Sequence, residues 1–270
     1  MKRAAYLTSR TAAAVALCAL ALLACLCAGA CSSGADDAAD EETDPVLDIA
    51  DTSGGVAAVV GDVEIGENAV TAYIENVRET QGLQDDADWA SYLLYYDYEP
   101  SDVRDSILDG YVDQELLLMA AAEYDVEPTD DEVAAEVAVS EESVGSEEEW
   151  EETLAENGLT QQSYELSVRL LLIQDALVPL VCPDSAATDD MVLYYVQYYE
   201  DDYADAETLD DVPDDIVEEY REEADEDQQT SDLYAWLDEY GEEIGVTLYD
   251  MPSGLSYDID LSEYEEDDDE

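Results

Sequence analysis

The chain has 270 residues, 74 carboxylates against seven basic side chains, and a formal net charge of −67. That length allows one or two domains with a sizeable core, but the charge speaks against nucleic-acid binding, because phosphate contacts need Lys and Arg. Histidine is absent, which excludes Ser–His and Cys–His nucleophilic systems and histidine-ligated metals.

Lys2, Arg3 and Arg10 form a positive patch before the small, apolar run Thr11–Ala30, the pattern of a secretory signal peptide over residues 1–30. The run closes in A-G-A-C-S-S-G, which is similar to a bacterial lipobox and makes Cys31 the lipidated residue, with Ala28 where Leu is usual. Leu22-Leu23-Ala24-Cys25 offers Cys25 as the alternative. Four of the five cysteines sit in or at the end of this leader. Processing at Cys31 leaves Cys182 alone, so no internal disulfide can form, and Cys182 reads as a small apolar residue rather than a reactive thiol. All carboxylates follow Cys31, where Arg78, Arg104, Arg169 and Arg221 are the only cations. Anionic lipid repels such a surface, so a covalent lipid is the expected attachment to the membrane. The expected location is the outer face of the bacterial cytoplasmic membrane.

Residues 31–55 are polar and acidic, with too little apolar content to fold alone, and read as a flexible tether. Val56–Val60 and Val63–Ile65 predict two short strands around Gly61-Asp62, a type II′ hairpin. A helix follows with Val70, Tyr73, Ile74 and Val77 on one face, closed by Gly82. Asp85–Pro100 reads as a short helix rich in aromatics. Ser101 is the expected N-cap of a long helix that Pro128 stops. Thr129–Glu132 and Ser146–Glu149 have the form of capping boxes, and Asn157-Gly158 that of a helix end. Thr160 opens a helix ended near Pro179, and Thr188 opens the next. The acidic run 201–212 reads as a linker. Pro213 suits the first turn of a helix carrying Ile216, Val217 and Tyr220; a further helix carries Leu233, Trp236, Leu237 and Tyr240. Val246–Tyr249 and Leu255–Ile259 are strand-like, and residues 262–270 read as a disordered acidic tail. The fold class is mainly α (α+β), with a small sheet and a returning C-terminal helix and strand.

The chemistry is sparse. Paired carboxylates are everywhere and therefore single out no catalytic pair. The acidic runs lack the spaced ligands and glycine of a calcium loop, and no phosphate-binding glycine loop occurs. No catalytic, cofactor-binding or metal-binding residue is assigned. The unusual feature is 20 tyrosines and three tryptophans with no phenylalanine. A tyrosine has an apolar body and a polar tip, so it suits half-buried binding surfaces. Tyr92, Tyr95, Tyr96, Tyr194, Tyr195 and Tyr198 could line a binding cradle. Their helical spacing equally allows them to replace phenylalanine in an ordinary core.

The V-V-G-D-V-E-I hairpin, the S-I-L-D-G-Y-V-D-Q-E-L-L-L helix, P-T-D-D-E-V and S-E-E-E-W-E-E-T-L-A-E-N-G-L-T occur in one order over residues 56–200. This order resembles the N-terminal chaperone domain of the SurA/PrsA foldases, and residues 213–261 resemble the segment that such proteins bring back to it. The resemblance implies a partner class of unfolded or newly exported polypeptides. Many relatives insert a parvulin prolyl-isomerase module between the two parts; here only residues 201–212 stand in that place, so no isomerase activity is expected. Two other readings stay open: an assembly factor for one envelope complex, and capture of cations or basic peptides.

Overall fold

A computed structural model of the chain describes residues 45–264. The expected signal peptide, Cys25, Cys31, most of the expected tether and the last six residues lie outside the described residues. The described chain is mainly helical, with one small antiparallel sheet. It divides into two compact units: residues 45–116, 128–171 and 244–264 in the first, 117–127 and 172–243 in the second.

The sheet of the first unit has the order β2-β1-β3, from β1 (Val56–Val60), β2 (Val63–Gly66) and β3 (Val246–Leu248). Val60 faces Val63 across the hairpin and Val246 across the other edge. Gly61 has φ 58°, and Asp62 does not share a positive φ, which is the pattern of the expected type II′ turn. The Gly61 N–H donates to Gly245 O at 3.2 Å, which ties the turn to the returning strand. Residues 45–55, expected as the end of a flexible tether, lie instead against the hairpin and the helices beside it, because their backbone and side chains find hydrogen-bond partners there. Gly66 N–H donates to Ile49 O at 2.7 Å, Asn68 donates to Asp51 and Ser53, and the Tyr111 hydroxyl donates to Val46 O at 2.6 Å.

Four helices of this unit follow the punctuation of the sequence. Helix α1 (Glu67–Thr80) buries Ala69, Val70 and Ile74 and ends ahead of Gly82, whose φ is 69°. Helix α2 (Asp86–Tyr96) is N-capped by Asp85 and ends at Asp97 in the left-handed region. Helix α4 (Asp130–Val144) starts from the reciprocal Thr129–Glu132 capping box, and α5 (Glu147–Glu156) from the Ser146 cap. Trp150 of α5 packs its edge on Tyr164 of α6 (Gln161–Val181), and the Tyr164 hydroxyl donates to Ser140 of α4 at 2.8 Å.

Helix α3 (Pro100–Glu123) differs from its expected start: Pro100, not Ser101, opens it. Proline lacks the N–H that a first turn leaves unbonded anyway, and the Asp102 carboxylate accepts from the Glu99 N–H at 2.8 Å, completing the cap. It also stops five residues before Pro128, at a left-handed Asp125 (φ 55°) that lets Val126 N–H reach Ala121 O. Pro179 does not end α6, which runs to Val181. Near a C-terminus a proline removes one intrahelical bond and leaves the following Cys182 N–H free to reach Val178 O at 2.8 Å.

The second unit is built on α7 (Asp189–Tyr199) and α8 (Asp214–Ile244). Thr188 caps α7 as expected. Between them, residues 201–212 form two 3-10 turns, and Leu209 packs on a core of Ala187, Val192 and Ala224 with Met191, Tyr195, Val217 and Tyr220. The two expected C-terminal helices are one helix of 31 residues. Nothing between Tyr220 and Leu233 breaks a helix, and Ala224 supplies a buried step that joins the two apolar stretches. Leu255–Ile259 is not a strand. Tyr257 is fully buried there, and its carbonyl accepts from the Trp89 indole at 3.0 Å instead of from a strand neighbour.

Candidate functional site

The six tyrosines singled out by the sequence fall into two groups, one in each unit. On α2 they form a ladder that starts in the core. Trp89 is buried and stacks on Tyr92 at 5.5 Å, and Tyr92 meets Tyr96 at 5.0 Å. Tyr96 contacts both Tyr95 and Tyr98. Tyr95 is 81 % exposed and Tyr98 43 %. The i, i+3 and i+7 steps from Trp89 to Tyr92 and Tyr96 keep one helical stripe, while Tyr95 stands off it. The Arg78 guanidinium lies 5.5 Å from the Trp89 ring, covering the inner end of the ladder with an internal cation.

On α7 the buried stripe is Val192 and Val196, with Tyr195 half-buried. Tyr194, Tyr198 and Tyr199 point away from that stripe and are 61 %, 68 % and 57 % exposed. Tyr194 and Tyr198, one turn apart, stack at 6.1 Å with ring planes 22° apart. Tyr198 meets Tyr199 edge-on at 4.8 Å, and Tyr199 lies parallel to Tyr220 of α8 at 6.0 Å. Tyr195 thus serves the core and its rim; the other two tyrosines expected on this helix lie on the surface.

Hydrogen bonds fix the inner edge of this face. The Tyr195 hydroxyl donates to Asp227, and the Tyr220 hydroxyl donates to Glu200 at 3.1 Å. Burial, followed by these carboxylate partners, raises both phenols well above their ordinary range, Tyr220 to about 12. Both therefore keep donating these bonds into alkaline solution, beyond the pH at which a free tyrosine ionises. Carboxylates crowd the same edge: burial and the neighbouring Asp227, Glu226 and Glu219 raise Glu223.

The cations are occupied elsewhere. Arg104 pairs with Glu67 and Asp105, Arg78 with Glu75 and Asp86, Arg169 with Asp130, and Arg221 with Asp189. Cys182 is half-buried, and burial together with Asp232 pushes its thiol up, so the weakly nucleophilic protonated form dominates. Among the described residues no group of three Cys, Asp or Glu side chains is placed to hold a metal ion, and no helix is long and apolar enough to cross a membrane.

Sequence reasoning missed Tyr220 and the Arg78–Trp89 contact as parts of these surfaces. Tyr220 is distant from Tyr199 in sequence and joins it only because α8 folds against α7. What the α7 face offers is exposed aromatic area bordered by negative charge.

No curated protein and no solved structure matches the chain. The family model described as SurA-like N-terminal domain matches residues 12–178. That match spans more than half of the chain: the chain belongs to the family of SurA-like N-terminal domains.

Proposed function

We propose that the protein is a lipid-anchored chaperone on the outer face of the bacterial cytoplasmic membrane, binding segments of unfolded or newly exported polypeptides without catalysis. The family supplies a chaperone-type module. The observation that carries the binding mode is the face of Tyr194, Tyr198 and Tyr199, more than half exposed on a helix whose apolar stripe is already satisfied by its own core. Side chains of this kind gain by covering apolar client groups while their hydroxyls stay wet. Such contacts are adaptable and individually weak, which suits many clients rather than one. The acidic exterior keeps loaded complexes apart by like-charge repulsion. Cys31 is the residue that would carry the lipid, with Cys25 as its alternative, and the segment up to residue 44 would be the tether.

The mature chain, added at molar excess, should suppress light scattering of several unrelated chemically unfolded proteins and release them folding-competent. Protease-coupled, proline-limited refolding should run at the uncatalysed rate in its presence. Capture of one stoichiometric partner, with no suppression for unrelated clients, would replace this reading by an assembly factor for a single complex. Metabolic labelling with a fatty acid should be abolished by Cys31→Ala and kept by Cys25→Ala.

A further inference from the structure

We propose that the tyrosine face of α7 and the adjoining N-terminal half of α8 bind a cationic polypeptide segment, with Lys or Arg side chains laid over Tyr194, Tyr198 and Tyr199. The inference rests on the chaperone reading and names the client class at one site.

Three observations favour this occupant. First, the rings touch in a continuous array, Tyr194 stacked on Tyr198, Tyr198 edge-on to Tyr199 and Tyr199 parallel to Tyr220, and Tyr194, Tyr198 and Tyr199 are more than half exposed. The face of an aromatic ring is its negative side and attracts a cation held within about 6 Å. Second, the rim is carboxylate. Asp190 precedes the array by one turn and Asp201 and Asp202 follow it on the same chain, all exposed. From α8, Glu219, Glu223 and Asp227 crowd the edge near Tyr195 and Tyr220. Third, the chain covers its other aromatic ladder itself, by Arg78 over Trp89. The nearest cation to the α7 face in sequence is Arg221, and it is bound to Asp189 at 2.6 Å. Arg221 thus pairs with one carboxylate and leaves Asp190, Asp201, Asp202, Glu219, Glu223 and Asp227 as an excess of negative charge around the rings.

Other occupants fit less well. A second copy of a chain with net charge −67 is repelled, and an anionic membrane or a nucleic acid is repelled for the same reason. A cationic segment gains twice, from the rings and from relief of carboxylate crowding, and its aliphatic lysine stems cover the ring faces.

The test uses the mature full chain, fluorescence anisotropy, and three labelled unstructured peptides of equal length: a lysine-rich one, its Lys→Gln counterpart, and its Lys→Glu counterpart. The lysine peptide should bind at least about tenfold more tightly than the glutamine peptide at physiological salt. The variant Tyr194→Ser/Tyr198→Ser, which removes two exposed rings and leaves Val192, Val196 and Tyr195 in place, should weaken lysine-peptide binding by about tenfold. That change corresponds to about 1.4 kcal/mol. Tyr249→Ser, at an exposed tyrosine of the first unit outside the candidate site, should leave it unchanged.

Equal binding of the lysine and glutamine peptides would overturn the proposal. So would a double variant that binds the lysine peptide like the parent, which would assign the attraction to the carboxylate cloud alone. Calcium ions at 1 mM that displace the peptide equally from parent and variant would point to cation capture and overturn it likewise. The two readings fail separately. Aggregation suppression without a lysine preference sinks this inference and spares the chaperone function. Ring-dependent lysine-peptide binding without aggregation suppression does the reverse.

Discussion

Arg104 grips Glu67 through two parallel hydrogen bonds, Nε to Oε1 at 3.0 Å and Nη2 to Oε2 at 2.7 Å, and both side chains are only 2 % exposed. Burial alone would lower the Arg104 pKa, but the bonds to Glu67 outweigh it and hold the guanidinium charged. The pair fastens the first turn of α1 to the first turns of α3. A buried pair of this geometry contributes little net stability over apolar residues of the same volume, while removing one partner strands the other charge. Arg104→Met should therefore cost about 3–5 kcal/mol, and Glu67→Leu/Arg104→Met should recover most of that loss. Urea denaturation of the parent, Arg104→Met, Glu67→Leu and the double variant decides it, since two single losses that simply add in the double variant would mean the residues do not act as a pair.

The same pocket sets an alkaline limit. Tyr257 is fully buried with its hydroxyl 3.5 Å from Glu67 Oε1; burial first, and then the Glu67 charge, raise its pKa, with Arg104 opposing. Tyr220 and Tyr240 are raised to about 12 by burial and by Glu200 and Glu123. A folded state that holds a proton more tightly than the unfolded chain gains stability in full below the ordinary tyrosine pKa of about 10, and loses it as pH rises through the folded values. Helical circular dichroism should thus collapse between about pH 10 and 12, together with a step in tyrosinate absorbance. Tyr257→Phe should shift that midpoint upward while changing neutral-pH stability by no more than about 1 kcal/mol. An unmoved midpoint would remove Tyr257 from the linkage.

Glu115 on α3 follows the same sign in the acid range. Burial raises its pKa, and the hydrogen bond with Gln114 only partly offsets this. The stabilisation from a raised carboxyl is complete below the ordinary carboxylate range and is lost as pH climbs through the folded value, so at pH 7 its charge is a burden. Glu115→Gln should raise the melting temperature at pH 7 by roughly 2–4 °C, the displacement that about 1 kcal/mol produces in a chain of this size. Parent and variant should converge below about pH 4, where the glutamate is protonated too. A gain that persists unchanged at pH 3 would assign the effect to packing.

The local grammar of this chain was legible and its long-range pairing was not. Thr129–Glu132, Thr188 and Asn157-Gly158 mark helix ends because a cap needs only a few neighbouring residues. Gly61 marked the hairpin for the same reason. The Pro100 start and the α6 turn beyond Pro179 escaped because proline is tolerated at both ends of a helix for different reasons. Leu255–Ile259 alternates like a strand, yet it is held by Trp89 through a contact 168 residues away in sequence, which no local pattern encodes. Helical spacing placed Tyr194, Tyr195 and Tyr198 on one helix but could not say which of them face the solvent. That depends on Val192 and Val196 filling the core first.

Gly66 is required by proximity rather than by backbone angle. Its φ of −79° suits any residue, but a Cβ there would stand 2.1 Å from Asp51 O and 3.2 Å from Ile49 O. Both are backbone atoms and cannot swing aside. Gly66→Ala should therefore push residues 49–51 off the β2–α1 junction and cost about 1–3 kcal/mol. The accompanying signature is faster amide exchange at Gly66, whose N–H is bonded to Ile49 O. A variant that keeps both the stability and the slow exchange would mean this segment yields without cost.

Charge sets the conditions in which all of this holds. The chain carries −67 with no histidine to buffer it, and the raised Glu223 beside Glu219, Glu226 and Asp227 records the crowding locally on α8. Exposed charges feel each other over about 8 Å at physiological salt and over about 30 Å at 10 mM. Self-repulsion is released when the chain expands, so lowering the salt should favour unfolding. The melting temperature should climb steeply between about 10 and 150 mM sodium chloride and flatten as the screening length falls to about 3 Å near 1 M. Potassium chloride should act like sodium chloride, because general screening needs no particular ion. A flat profile would show that the carboxylates are spaced too widely to matter, whereas a rise with calcium but not with monovalent salt would show that specific binding, rather than screening, relieves them.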